Sequence, residues 1–218
     1  MSKILALIVL SSGTIFAQNN TQLETATLRL EHNVTDKDLE VVIEAKSVTE
    51  GLTKLTVIGP DGKNIVDLKG PPLLGLRHFS FETPEPKELS SIKKAYPEGE
   101  YKFVGESVSG VKTTGQATFN HNLLQAVSII SPEADQEGIK VKNFKIEWSP
   151  VKDAVGYVLS LEQMQSETNF STRLPGNTTS FVVPDGFLVA GSEYTLGLGA
   201  IAKNGNITFI ETSFTTEK

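Results

Sequence analysis

Cysteine is absent from this chain of 218 residues. Its absence excludes a thiol nucleophile, thiolate ligation of zinc or of an iron–sulfur cluster, any disulfide bond, and a lipid-modified N-terminal cysteine. Aromatic residues are also scarce, at 7%, and only one of them is Trp. The sequence carries 20 Lys and Arg against 26 Asp and Glu, a formal net charge of −6. This balance argues against nucleic acid, or an anionic membrane surface, as the main partner.

Motifs that carry catalysis are missing as well. The sequence contains no Walker-type phosphate loop, no HExxH motif and no dinucleotide fingerprint. Residues Gly105–Ser109 begin like the nucleophile elbow of a hydrolase, but Ser109 stands where the second glycine belongs. Carboxylates are numerous, so a glycosidase-type carboxylate pair stays open as an alternative. We predict a protein that is not an enzyme, with no catalytic residue and no cofactor.

The three histidines, His32, His78 and His121, all lie within residues 23–124. His32 is in phase with Leu30, and His121 is in phase with Phe119. Because the first and last strands of a sandwich can be neighbours, a metal site formed by His32 and His121 is one alternative. Their spacing matches no known ligand motif, so we predict isolated histidines at strand ends.

Three carboxylates, Asp36, Asp38 and Glu40, alternate along the sequence. This spacing places all three on one face of a strand, where they could hold calcium. A solvated sheet edge is the more common role of such a pattern, since charges there discourage aggregation between edges. We therefore predict no metal site.

Residues 1–17 have the organisation of a secretory signal peptide. Lys3 supplies the positive charge, Ile4–Leu10 form the apolar run, and Ala17 precedes the cleavage bond. A buried first strand and a retained membrane anchor are the alternatives, but the run is far shorter than the roughly 20 residues that cross a bilayer. No later stretch is longer, so we predict an exported protein that does not span a membrane. Export without disulfides favours a periplasmic or extracellular protein of bacterial origin.

Between residues 23 and 124 apolar and polar residues alternate, with interruptions about every 10 residues. Gly59–Gly62 has the composition of a tight turn between two strands. About seven short strands in roughly 100 residues predict an immunoglobulin-like sandwich without a disulfide. Residues 86–95 are the exception, and for them we predict one or two turns of helix.

Residues 126–218 repeat the alternation. Asn204-Gly205 is a hairpin turn signal between two such rows. A weak internal echo, Pro97–Tyr101 against Gly191–Tyr194, precedes an alternating strand in each half and supports two related sandwiches. No Gly/Ser-rich or Pro-rich linker separates the halves, so we expect them to touch and to be restricted in relative motion.

The second half resembles a fibronectin type III domain. Ile146–Pro150, which contains the only Trp, is similar to the second strand of that family, and Gly156–Leu159 is similar to the third. Leu188–Tyr194 resembles the Leu-x-Pro-Gly-x-x-Tyr corner, with alanine in place of the proline. The resemblance implies that Trp148 and Tyr194 are core residues rather than ligand contacts.

The predicted fold is all-β, with two tandem β-sandwich domains after the signal peptide: an immunoglobulin-like domain at 23–124 and a fibronectin type III-like domain at 126–218. The resemblance implies a binding, spacer or assembly module. We predict a non-catalytic exported scaffold with a protein or cell-surface partner and no affinity for nucleic acid. A carbohydrate-binding module is the second hypothesis, with Tyr96 and Phe170 as the rings available to stack on a glycan. A carboxylate-dependent hydrolase is the third.

Overall fold

A computed structural model describes residues 21–166 and 168–218. The predicted signal peptide, residues 1–17, lies outside the described residues. The described chain is all-β apart from one helix, α1 (Leu89–Ala95), which confirms the helical turns expected within 86–95. The strands are β1 (Thr21–Gln22), β2 (Thr25–Asn33), β3 (Asp38–Lys46), β4 (Leu52–Ile58), β5 (Asn64–Lys69), β6 (His78–Glu82), β7 (Gly99–Ser107), β8 (Lys112–Phe119), β9 (Ile129–Ser131), β10 (Gln136–Ile139), β11 (Lys145–Trp148), β12 (Gly156–Gln163), β13 (Asn169–Pro175), β14 (Ser180–Val182), β15 (Glu193–Ile201) and β16 (Ile207–Thr216).

Two separate clusters of buried side chains lie between the sheets. The first core contains buried residues between Leu28 and Phe119, and the second core contains buried residues between Val127 and Phe214. The sheet β1-β8-β7-β4-β5 faces β2, β3 and β6 across the first core. The sheet β14-β11-β9 faces β13, β12, β15 and β16 across the second core. The predicted all-β sandwich class is therefore confirmed.

Alternation along the strands decides which side chains enter each core. In β2, Leu28 and Leu30 are buried, whereas Thr27 before them is exposed and Arg29 between them is only partly buried, because successive side chains of a strand point to opposite faces. In the second core Trp148 is buried and packs edge-on against Tyr157, with ring centroids 5.5 Å apart. The Trp148 indole N–H has no hydrogen-bond partner among the residues described.

Each core contains a tyrosine whose hydroxyl is bonded to the backbone a few residues upstream. The Tyr101 hydroxyl donates to the carbonyl oxygen of Pro97 at 2.8 Å. The Tyr194 hydroxyl accepts from the backbone N–H of Val189 at 2.9 Å and donates to the carbonyl oxygen of Phe187 at 3.4 Å. Both rings are completely buried. The internal echo in the sequence thus corresponds to two tyrosine corners of the kind found in β-sandwiches.

One sheet is shared by the two cores. Its strand order is β13-β12-β15-β16-β2-β3-β6, and the join is a parallel pairing of β16 with β2. Ile207 lies opposite Glu31, Thr208 opposite His32, and Phe209 opposite Asn33. The last strand of the second core is thereby hydrogen-bonded to the first long strand of the first core.

The shared sheet corrects the expectation that the carboxylates of β3 lie on a solvated edge. β3 lies between β2 and β6, and where β6 has ended the N–H of Leu39 donates to the carbonyl oxygen of Pro86 at 3.1 Å. In β15, Gly197 and Gly199 are buried, as are Leu196 and Leu198 on the opposite face of the strand. A Cβ at Gly199 would lie 2.6 Å from the Phe209 ring, so the absence of a side chain lets that ring lie directly on the sheet.

None of the helices in the part of the chain that the structure describes has the length and hydropathy needed to cross a membrane.

Candidate functional site

A buried polar junction joins the two cores, and the Asn206 side chain is its centre. Asn206 is 1% exposed and lies just before β16. Its Oδ1 accepts the backbone N–H of Leu30 at 2.8 Å, and its Nδ2 donates to the carbonyl oxygens of Asn120 at 2.8 Å and Asn122 at 2.9 Å. The side-chain amide of Asn206, at the start of β16, thus contacts both β2 and the segment that follows β8. A buried amide with its donors and acceptor satisfied favours one arrangement of these three segments over others.

Further hydrogen bonds continue along the junction. The Thr208 hydroxyl donates to the carbonyl oxygen of Leu124 at 2.9 Å. Beyond the end of β2, the backbone N–H of Val34 donates to the carbonyl oxygen of Phe209 at 2.9 Å. The Thr35 hydroxyl accepts from the backbone N–H of Glu211 at 2.8 Å. The junction is therefore a run of backbone and side-chain hydrogen bonds and not an apolar contact alone.

An acidic cleft opens beside this junction. Its volume is about 280 Å³, and its lining comes from β2, the β2–β3 turn, β3, the segment after β6, β12 and β16. Phe209 and Ser160 are among its lining residues. Six carboxylates line the cleft: Glu31, Asp36, Asp38, Glu40, Glu85 and Glu211. Six of the 26 Asp and Glu residues of the chain therefore lie around one cleft.

Glu40 is the carboxyl in this cleft with the most altered acidity. Burial raises the pKa of Glu40 to about 7, and the neighbouring carboxylates of Glu31, Glu82 and Glu85 act in the same direction. Glu31 lies directly opposite Glu40 in the antiparallel pairing of β2 with β3. Like charges on neighbouring strands disfavour ionisation of the more buried group, so Glu40 holds its proton to higher pH than an ordinary glutamate.

The alternating carboxylates do not share one strand face as the sequence suggested. Asp38 and Glu40 lie on β3, but Asp36 belongs to the preceding turn, where the Asn33 side-chain amide donates to its carboxylate at 2.9 Å. Within 21–166 and 168–218, no group of three or more His, Asp or Glu side chains is arranged to hold a metal ion.

Two histidines have partners of their own. His121 is buried, and its ring nitrogens lie 3.0 Å from Glu98 Oε1 and 2.9 Å from the Tyr96 carbonyl oxygen. The hydrogen bond from the His121 backbone N–H lowers the pKa of the Glu98 carboxyl. His78 lies on β6, with Nε2 2.9 Å from a carboxylate oxygen of Glu44. These contacts of His121 connect the segment that follows β8 to residues Tyr96 and Glu98, just before β7.

The serines of the incomplete elbow motif close a turn. Ser107 and Ser109 hydroxyls lie 2.9 Å apart, and Ser109 donates to Glu50 Oε2 at 2.6 Å. The Ser107 oxygen also accepts the backbone N–H of Val111 at 3.2 Å. The hydrogen bond from the Ser109 hydroxyl, followed by that from Ser107, lowers the pKa of the Glu50 carboxyl. The arrangement is explained by the tight β7–β8 connection, and the base that would activate a serine is not part of it.

The two rings considered for glycan stacking are only partly available. Phe170 packs against the rings of Phe181 and Phe187, at centroid distances of 5.6 and 5.8 Å. Tyr96 packs against the first core and lines a groove beside α1. Both are half-buried, so neither presents a free flat face of the kind that stacks on a sugar ring.

Sequence reasoning missed Asn206, which the structure places at the centre of the junction. It stood in the sequence as the residue after a hairpin turn, and an Asn in that position is ordinarily exposed. The one signal in the sequence was its position just before a strongly alternating strand. A polar side chain at such a position is buried only if it contacts another segment of the chain.

No protein-family model matches the chain, and no curated protein matches it. Among solved structures it is similar to a two-domain fibronectin type III segment of chicken tenascin (14% identity, 89% of this chain and 97% of that one, TM-score 0.33). It is also similar to fibronectin(III)-like modules of CbhA from Clostridium thermocellum (10% identity, 90% and 93% covered, TM-score 0.36). The FN1–FN3 domains of chicken CNTN1 give a TM-score of 0.36 at 10% identity, with 91% of this chain and 69% of that one covered. These likenesses are too distant to carry a conclusion about function.

Proposed function

We propose that this protein is a non-catalytic exported scaffold that holds two β-sandwich domains, 23–124 and 126–218, in one fixed arrangement for a protein or cell-surface partner. The observation that carries the proposal is the sheet shared by the two cores through β16 and β2. Tandem domains joined only by a linker move relative to one another by default. Strand pairing together with the buried Asn206 amide opposes that motion, because separating the domains would expose several backbone and side-chain groups at once.

A fixed pair of domains suits a spacer or a composite binding surface better than it suits two independent modules. The acidic cleft supports this interpretation, since residues from both sides of the β16–β2 join line it. Its six carboxylates favour a partner segment that carries positive charge. The proposed location is the periplasm or the cell exterior, in keeping with the predicted signal peptide.

The experiment is a pull-down from envelope extract with immobilised full-length protein, alongside Asn206→Ala and an acidic-cleft variant, Asp38→Asn with Glu211→Gln. We expect a reproducible partner that the wild-type protein retains and that the cleft variant retains more weakly, with the greatest difference at low salt. The absence of any reproducible partner would count against the scaffold role. Equal recovery by all three proteins would show that the junction does not form the binding surface.

A carboxylate-dependent hydrolase is a second candidate, favoured by the raised pKa of Glu40 and by the five other acidic side chains that line the same cleft. A glycosidase needs one protonated and one ionised carboxyl flanking the scissile bond. A screen of purified protein against glycoside substrates decides this, with Glu40→Gln as the matched variant. If the wild-type protein turns over a glycoside and Glu40→Gln does not, the hydrolase proposal replaces the scaffold proposal.

A further inference from the structure

An apolar tip projects from the connection between β5 and β6. Leu73 is 85% exposed and Leu74 is 80% exposed, more than any other large apolar side chain among the described residues. Single exposed leucines are common, but adjacent ones at a loop tip are not. Val48, Leu76 and Val108 are also exposed, and they belong to the same loop and to its two neighbours. We call the segments 47–51, 70–77 and 107–111 the entry loops.

Backbone hydrogen bonds hold the entry loops together beneath the tip. Leu52 and Leu76 exchange two bonds of 2.8 and 3.0 Å, and the N–H of Val108 donates to the carbonyl oxygen of Gly51 at 3.0 Å. A Cβ at Gly51 would lie 2.0 Å from the carbonyl oxygen of Leu74, so only glycine permits this contact. The leucines are therefore exposed on a well-supported loop, which lowers the ordering cost of inserting them into another phase.

The charge near the entry loops differs in sign from that of the chain. The net charge of the protein is −6, and the acidic cleft lies at the junction. Two ion pairs lie on strand ends near the entry loops, Lys46 with Glu24 at 2.6 Å and Lys54 with Glu106 at 2.8 Å. Beyond these pairs, Glu50 is outnumbered by three cations: Lys69, Arg77 and Lys112. Lys69 precedes Leu73 by four residues, and Arg77 follows Leu74 by three. This distribution complements an anionic surface locally, although the protein as a whole does not.

We propose that the entry loops are a lipid-contact surface, in which Leu73 and Leu74 insert among the headgroups and upper acyl chains of a bilayer while Lys69 and Arg77 contact anionic headgroups. Two leucines offer far less area than the roughly 800 Å² per partner of a stable dimer, so a second copy is not the occupant. The same small area makes contact through the tip weak and reversible, as for other single membrane signals.

The absence of cysteine allows a site-specific test on the full chain. Leu73→Cys is labelled with an environment-sensitive dye, and Val182→Cys, an exposed apolar position on β14 at the second core, is the matched control. The probes are vesicles of phosphatidylcholine and vesicles of equal parts phosphatidylcholine and phosphatidylglycerol. We expect a blue shift and increased emission of the dye at position 73 on the mixed vesicles, a smaller change on neutral vesicles, and none at position 182.

A flotation assay with unlabelled full chain tests the contribution of the two leucines directly. Replacing both leucines, Leu73→Ser with Leu74→Ser, should reduce recovery with mixed vesicles at least tenfold, whereas Val182→Ser should leave it unchanged. Unchanged recovery, or a dye at position 73 that does not respond to vesicles, would overturn the proposal. A response at position 73 to a protein fraction and not to vesicles would overturn it too, because the tip would then be a protein-docking site.

Discussion

Replacing Asn206 with alanine tests whether the junction couples the two cores. The substitution removes three hydrogen bonds from a side chain that is 1% exposed. The buried N–H of Leu30 loses its acceptor, at a cost of roughly 2 kcal/mol. The Asn120 carbonyl loses a donor worth about 1 kcal/mol, whereas the Asn122 carbonyl keeps the Asn204 amide at 3.0 Å and loses less. The free energy of unfolding should therefore fall by about 3 kcal/mol in total, a large part of the stability of a typical domain.

Urea-induced unfolding measures this change with two probes. Fluorescence of Trp148, the only Trp, reports on the second core, and far-UV circular dichroism reports on all strands. We expect coincident transitions in the wild-type protein and separated ones in Asn206→Ala, because the variant weakens the shared sheet where the cores meet. Asn177→Ala, at an exposed Asn in the turn between β13 and β14, is the control and should change stability by less than about 0.5 kcal/mol. A similarly small effect of Asn206→Ala would refute the reasoning.

Four further substitutions have predictable outcomes. The pKa of Glu40 is raised from 4.5, its ordinary value, to about 7 in the folded protein, so stability should decline as pH rises through this window. Glu40→Gln should remove that decline. After allowance for solvent screening, the variant should be about 1–2 kcal/mol more stable than wild type at about pH 8 and equally stable at about pH 4. Urea denaturation of both proteins at these two pH values measures the difference. Gly199→Ala places a methyl group 2.6 Å from the Phe209 ring and should lower stability by about 1–3 kcal/mol in the same assay, and an unchanged midpoint would contradict the close packing. Tyr101→Phe removes one corner hydrogen bond and Tyr194→Phe removes two, the second of them long, and each should cost at least about 1 kcal/mol in urea denaturation. No loss in either variant would show that the corners do not contribute to stability.

Local patterns accounted for most of the strands. The alternation of Leu28 and Leu30 with polar residues predicted β2, because the period of two survives in any strand with one buried face. The spacing before Tyr194 predicted a corner, and the structure adds the equivalent bond at Tyr101 in the first half. Asn204-Gly205 predicted a hairpin, which Gly205 makes with a φ of 89°.

The sequence was less informative where strands carry few large apolar residues. β10 and β13 were not anticipated, since Gln136–Ile139 and Asn169–Pro175 are mostly exposed and carry few apolar residues. The burial of both faces of β15 was not evident either. Whether Gly199 faces solvent depends on where Phe209 lies, and that depends on the neighbouring strand.

By itself the sequence determined the all-β class, most strand positions, the turns and the composition of both cores, because these follow from a periodicity of two residues and from turn chemistry. Only the tertiary structure decided how the cores are joined. Leu30 and Asn206 are 176 positions apart, and a parallel pairing between β2 and β16 leaves no periodic trace in either segment. The raised pKa of Glu40 and the exposure of Leu73 were likewise decided by the tertiary structure. Each depends on which distant segments of the chain lie beside the residue, and only folding brings those segments together.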